Sequence, residues 1–152
     1  MTSPSPLLGT YTLLSYTSSP FDHHGPTIHP MGPDARGLLT YAADGYMAVN
    51  VMPTSSNKVK HSIQDGVMYT GRFWVEEAGG DQDGHRGRGR GGGLMVSHQV
   101  HMACPHELEG SVLKRQVTWL EGDRLKLSSL GFVDIEGLMV RPELVWERIS
   151  RP

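Results

Sequence analysis

The chain has 152 residues, 38% of them hydrophobic, with 14 Lys and Arg against 16 Asp and Glu and a formal net charge of -2. That length fits one domain with a core large enough to fold without staples, and the single cysteine, Cys104, excludes an internal disulfide framework. The near-neutral balance excludes a general binder of nucleic acid or of an anionic membrane surface, since either needs a basic excess.

Glycine is the unusual count, with 19 residues beside 10 prolines. The glycines have no three-residue period, which excludes collagen, and apolar alternation in several stretches excludes wholesale disorder. What remains is a chain of many tight turns with little room for long helices. No apolar run approaches the ~18 residues of a spanning helix. The first residues lack the cationic and apolar regions of a secretory signal, so a soluble, cytoplasmic protein is expected.

In chain order, Leu8 to Thr17 is uncharged and rich in β-branched and aromatic residues, and reads as a strand. Ser18 to Asp34, with its prolines, glycines and histidines, reads as a long irregular loop. Arg36 to Tyr41 and Tyr46 to Met52 form a hairpin around Asp44-Gly45, a turn signal because glycine takes a positive φ without cost. Pro53 to Asp65 is polar, a loop or one helical turn. Val67 to Glu76 is the fourth strand and Leu94 to Ala103 the fifth. Between them, Ala78 to Gly93 is a low-complexity Gly/Arg-rich insertion. Ser111 to Leu120 turns through Glu121-Gly-Asp123 into Arg124 to Leu130, and Leu138 to Ile149 closes the series. About eight strands on short turns predict an all-β, antiparallel up-and-down barrel with room for side chains or one small ligand.

Alternation groups side chains by face. Tyr46, Ala48, Asn50 and Met52 share one. Tyr69, Gly71, Phe73 and Val75 share another, opposite Thr70, Arg72 and Trp74. His98, Val100 and Met102 share a third, and their apolar company favours the core for His98.

Six blocks in order carry a resemblance: Leu7 to Tyr16, Gly32 to Met47, Tyr69 to Val75, Val96 to His98, Leu120 to Leu127 and Leu144 to Arg148. Together they resemble the small lipocalin-like domain family of bacteria and fungi. The resemblance implies one β-barrel over residues 1–152 with a central cavity. Some members lie near fungal natural-product pathways, and barrels of this kind act as cofactor-free cyclases or isomerases. The insertion at about 78–93 and the histidine-rich first loop depart from the family pattern, and both are expected at a barrel rim.

The residue types then suggest roles. Arg36, beside glycines, would polarise a substrate carbonyl and stabilise developing negative charge, or else fix the first loop through backbone carbonyls. His98, with a reference pKa near ~6.5, would act as acid or base, with Tyr46 as a second proton-relaying group; the plain alternative is a hydrogen-bonded core histidine. Tyr69, Arg72, Trp74, Asn50, Met102 and Trp119 would line the substrate pocket, or else simply pack. Asp134 and Glu136, in the turn before the last strand, are solvated carboxylates or partners for Arg36.

Eight histidines invite a metal reading. Yet His98 and His101 are three apart on a strand and so face opposite ways, and neither His-Glu-x-x-His nor paired Cys-x-x-Cys occurs; no metal and no cofactor are expected. Three arginines in Arg86 to Gly93 are too few for an RNA-binding segment.

The sequence thus points to a cofactor-independent cyclase or isomerase of a hydrophobic, oxygenated metabolite. The alternative is a non-catalytic carrier of such a molecule. The expected partner is the small molecule alone, bound by a monomer or homodimer, with no nucleic acid and no membrane.

Overall fold

A computed structural model describes residues 5–20, 25–54, 66–77, 93–135 and 137–152. Nine strands appear in it: β1 Gly9–Pro20, β2 Arg36–Tyr41, β3 Tyr46–Met52, β4 Val67–Glu77, β5 Leu94–Cys104, β6 Val112–Leu120, β7 Arg124–Ser129, β8 Val133–Ile135 and β9 Leu138–Ser150. A 3-10 turn, His106–Leu108, lies between β5 and β6. Sequential neighbours pair antiparallel from β1 to β7, β9 pairs with β7, and β9 also pairs with β1. That last ladder closes eight strands into a barrel. A closed barrel leaves no long unpaired edge, which solves the chief liability of an all-β chain. The short β8 adds to β9 beside β7, an element the sequence did not announce. Asp134 sits in it and accepts a hydrogen bond from the Gly137 amide. Among the described residues no helix is long and apolar enough to cross a membrane.

The sequence boundaries hold to within a few residues, and the β2–β3 hairpin turns at Gly45 with φ 92°. The first strand runs on to Pro20, and Ser18 pairs with Ile28 across the following loop. Residues 55–65, the Gly/Arg-rich stretch at 78–92, His23, His24 and Glu136 lie outside the described residues.

Inside the barrel, period-two alternation brings Tyr11, Leu39, Tyr41, Met47, Val49, Phe73, Val96, Val117, Leu125 and Trp146 together. The register shifts at three places: one passes over Ile149 in β9, and the other two reset the alternation on the cavity side. In β1, Leu13 pairs with Trp146 and Ser15 with Val145, so Leu14 is the extra residue; before it Tyr11 and Leu13 face inward, and after it Tyr16 does. In β5, Gly71 pairs with Val100 but Thr70 with Met102, so His101 is extra. The bulge leaves Val100 buried and turns Met102 out to 64% exposure. The strand bends close against β4 there, and a Cβ on Gly71 would collide with the Gln99 carbonyl.

One end of the barrel is plugged. Arg148 continues the inward series of β9, and its side chain is only 5% exposed. Its guanidinium donates to Tyr11 Oη at 2.9 Å and to the Pro6 carbonyl at 2.6 Å, and lies 3.8 Å from Asp123 Oδ1. It also sits 5.3 Å from the ring centroids of both Tyr11 and Trp119. The charge is thereby satisfied while its apolar stem covers the core.

Two outcomes follow for stability, both read by urea unfolding. Gly71→Ala should cost about 1–3 kcal/mol, because backbone must move to admit the methyl group. Arg148→Met keeps the apolar stem and removes the charged hydrogen bonds, and should cost about 2 kcal/mol.

Candidate functional site

A cavity of about 240 Å³ occupies the end of the barrel opposite the Arg148 plug. Its wall comes from Tyr16, Leu39, Val49, Val51, Val67, Tyr69, His98, Leu113, Arg115, Leu127, Ser129, Pro142, Leu144 and Trp146 on eight strands, with Met31 and Leu108 added by the connections at that end. An engineered apolar cavity of roughly 150 Å³ holds benzene, so this one suits a molecule on the order of ten non-hydrogen atoms.

The polar centre of the wall is His98, which is 2% exposed. Tyr41 Oη lies 2.6 Å from its Nε2, and Tyr69 Oη 2.7 Å from its Nδ1. Strand register explains the grouping: Phe73 stands opposite His98, and Tyr69 lies one turn of alternation beyond Gly71 on the same face of β4. Tyr41, on β2, reaches in from across the barrel, its ring 4.6 Å from that of Phe73.

The direction of the two hydrogen bonds can be assigned. Neutral imidazole has one donor and one acceptor nitrogen. Tyr41 is sealed, at 1% exposure, and its hydroxyl has no other partner among the described residues. If it accepted from Nε2, its own proton would be buried without an acceptor, which costs more than the bond contributes. Tyr41 therefore donates to Nε2, and Nδ1–H donates to Tyr69. The Tyr69 hydroxyl proton is then free to point into the cavity. A chain of donors runs Tyr41, His98, Tyr69 and ends at whatever occupies the barrel.

Charge follows burial. His98 is pushed down to about 3, first by burial and then by the nearby positive charge of Arg115. It is neutral at ordinary pH. Burial raises Tyr69 to about 12, with Arg115 opposing, and burial holds Tyr41 well above its ordinary value. Tyr69 is thus a hydroxyl donor, not a phenolate.

Of the residues expected from sequence, the structure brings His98 and Tyr69 to the cavity wall. The others stand elsewhere. Arg36 is exposed and falls on the outward alternation of β2, where Leu39 and Tyr41 face in. Tyr46 is also outside, at 47% exposure, with the Arg72 guanidinium 5.1 Å from its ring centroid. Asn50 shares its outward face, between the buried Val49 and Val51. Trp74 is on the outer face of β4, and the β5 bulge puts Met102 outside. Trp119 belongs to the plugged end, beneath Arg148. These seven do not line the cavity.

The arginine at the cavity is Arg115, which, like Tyr41 and Tyr16, is not among the residues expected from sequence. Its signal was available: Arg115 lies between Leu113 and Val117 at two-residue spacing, the place of an inward side chain on β6. Tyr16 was hidden by the Leu14 bulge.

Both ring nitrogens of His98 are engaged by tyrosines, so it presents no free ligand atom to a metal. His106 pairs with Glu109 at 3.3 Å on the outside of the 3-10 turn. Among the described residues no three His, Cys, Asp or Glu side chains are grouped to hold a metal ion.

The family model of a lipocalin-like domain matches residues 8–66, from β1 through β3 to the residue before β4. No curated protein matches the chain.

The buried neutral histidine has a consequence for pH. Its folded pKa lies below its unfolded value near 6.5, so the unfolded chain takes up the proton first and stability is lost as pH falls from about 6.5 towards 3. The His98 contribution approaches about 1.4 kcal/mol per pH unit in that window. Urea unfolding of wild type and His98→Gln between pH 7 and pH 4 should show the steeper loss in the wild type; parallel curves would contradict a buried neutral His98.

Proposed function

We propose that this closed β-barrel, whose residues 8–66 match the model of a lipocalin-like domain, binds a hydrophobic, oxygenated small molecule in the cavity and guides its cyclisation or isomerisation without a cofactor. The observation that carries this reading is the directed donor chain ending at Tyr69 in a mainly apolar wall.

Such a wall selects one folded conformer of a flexible molecule and keeps water from it. Tyr69 is placed to donate to a carbonyl oxygen. Consider a hydroxyl adding to a conjugated carbonyl within one molecule. The carbon–oxygen bond forms, the electron pair moves to the carbonyl oxygen, and the hydroxyl proton ends on the α-carbon. No electron is gained or lost. The oxygen is most negative midway, and there the Tyr69 hydrogen bond is strongest, reinforced by the polarised chain behind it. His98 acts through Tyr69, by holding it with its proton aimed inward; Arg36 and Tyr46, both on the outside, have no part in this step.

One observation favours the carrier alternative. His98 has no unengaged lone pair and is neutral, so the wall offers no evident base. Incubation with hydrophobic hydroxy-enones that fit the cavity, followed by chromatography against a heat-denatured control, separates the two. Catalysis yields an isomer of unchanged mass, and Tyr69→Phe slows its formation about 100-fold, as for loss of an oxyanion-hole donor. Binding without conversion across the series would leave the carrier.

A further inference from the structure

Arg115 carries an inference that rests on the reading of the cavity as a ligand site but goes further, to the charge of the ligand. Its side chain lines the cavity from β6, where its register partners are Val96 on β5 and Ser129 on β7. Among the described residues its guanidinium makes one hydrogen bond, at 3.2 Å to the neighbouring Lys114 carbonyl. No carboxylate among the described residues pairs with it, whereas Arg124, Arg148 and Arg151 each meet one and Arg141 is held by Gln116 and the Ser129 carbonyl. Among the described residues the cavity wall contains no Asp or Glu.

The other polar groups are unevenly matched in the same direction. Tyr69 has a hydroxyl proton to give, by the assignment above. Trp146 is also in the wall, but its Nε1–H is sealed from the cavity space and has no acceptor among the described residues. Ser129 spends its proton on the Gly131 carbonyl. Among the described residues the wall thus offers two donors, the Tyr69 hydroxyl and the Arg115 guanidinium, and no carboxylate balances the charge of Arg115. Arg115 is half-buried and its guanidinium reaches exposed surface at the Lys114 bond, so water can serve it there. A ligand that fills the barrel displaces part of that water, which favours one with an anion to take its place, and guanidinium suits a two-oxygen anion because its fork matches both oxygens.

We propose that the cavity takes an acidic amphiphile: a small apolar molecule ending in an anionic oxygen group, a carboxylate being the simplest, which lies on Arg115 while the apolar part fills the barrel. The positive charge acts across the whole site, since Arg115 lowers the pKa values of Tyr16, Tyr41, Tyr69 and His98 alike. A group so placed would stabilise an enolate as readily as a carboxylate.

Isothermal titration calorimetry of the full chain with octanoate and with octanamide, at neutral pH, tests this. The two are near-isosteric, of the size the cavity suits, and differ in charge. The wild type should bind octanoate about tenfold or more tightly than octanamide, and the ratio should fall towards one in Arg115→Gln and partly recover in Arg115→Lys. Thermal unfolding checks that each variant is folded, and the wild-type ratio decides the matter even where a variant is not. Equal or tighter binding of octanamide to the wild type would overturn the anion site and leave the cavity as a ligand site. A ratio that persists in folded Arg115→Gln would overturn the role of Arg115. Binding of neither probe would overturn the anion site and the ligand reading together.

Discussion

The pairing of β9 with β1, from Val140 opposite Pro20 to Ser150 opposite Thr10, turns an open sheet into a barrel and sets a condition on every strand. Once the sheet is closed, half of each strand faces an interior from which bulk water is largely excluded. Apolar residues meet that condition by packing. Each inward polar group must find a partner or face the cavity, because a buried unpaired donor or acceptor is costly. The two ends of this barrel meet it in different ways. At one end Arg148 turns inward and is fully engaged by Tyr11, Pro6 and Asp123, so that end is sealed. At the other, Arg115 turns inward with only one backbone carbonyl to hold it, and that end is hollow.

His98 shows how the same condition produces direction. A buried imidazole needs a donor on one side and an acceptor on the other, and two tyrosine hydroxyls serve. Because Tyr41 is sealed and Tyr69 is not, only one arrangement of protons leaves no group unmatched. The direction of the hydrogen-bond chain thus comes from which tyrosine is buried more deeply, and the charge of Arg115 is a separate contribution to the site. Burial keeps all three groups neutral, so the hydrogen-bond chain is a fixed dipole aimed at the cavity.

The fold was legible because its signals are local. Uncharged β-branched and aromatic runs marked the strands, and Asp44-Gly45 marked a hairpin whose glycine does take a positive φ. The site was legible only in part. Tyr69 and His98 follow from simple alternation. Met102 does not, because the count of two breaks at His101, and nothing in the local residues announces that bulge except Gly71 on the facing strand. Which face of β2 and β3 points inward depends on packing against distant strands, so Arg36, Tyr46 and Asn50 were placed on the cavity by chemistry when register puts them outside. Aromatic residues are poor guides here: Trp146 lines the cavity, while Trp74 and Trp119 do not. Tyr41 was overlooked because its part depends on contacts with residues 57 positions away.

The opposed ends also separate the first connection from the two residues that flank the Gly/Arg-rich stretch. Met31, from the first connection, reaches the cavity wall. Glu77 and Gly93, which flank the Gly/Arg-rich stretch, belong to the plugged end, since β4 leaves the cavity and β5 returns to it. An attachment made between those two residues, such as a fluorophore, an affinity tag or a tether to a solid support, would be joined to the barrel at its sealed base. The chain could be immobilised there with its cavity directed towards the solution.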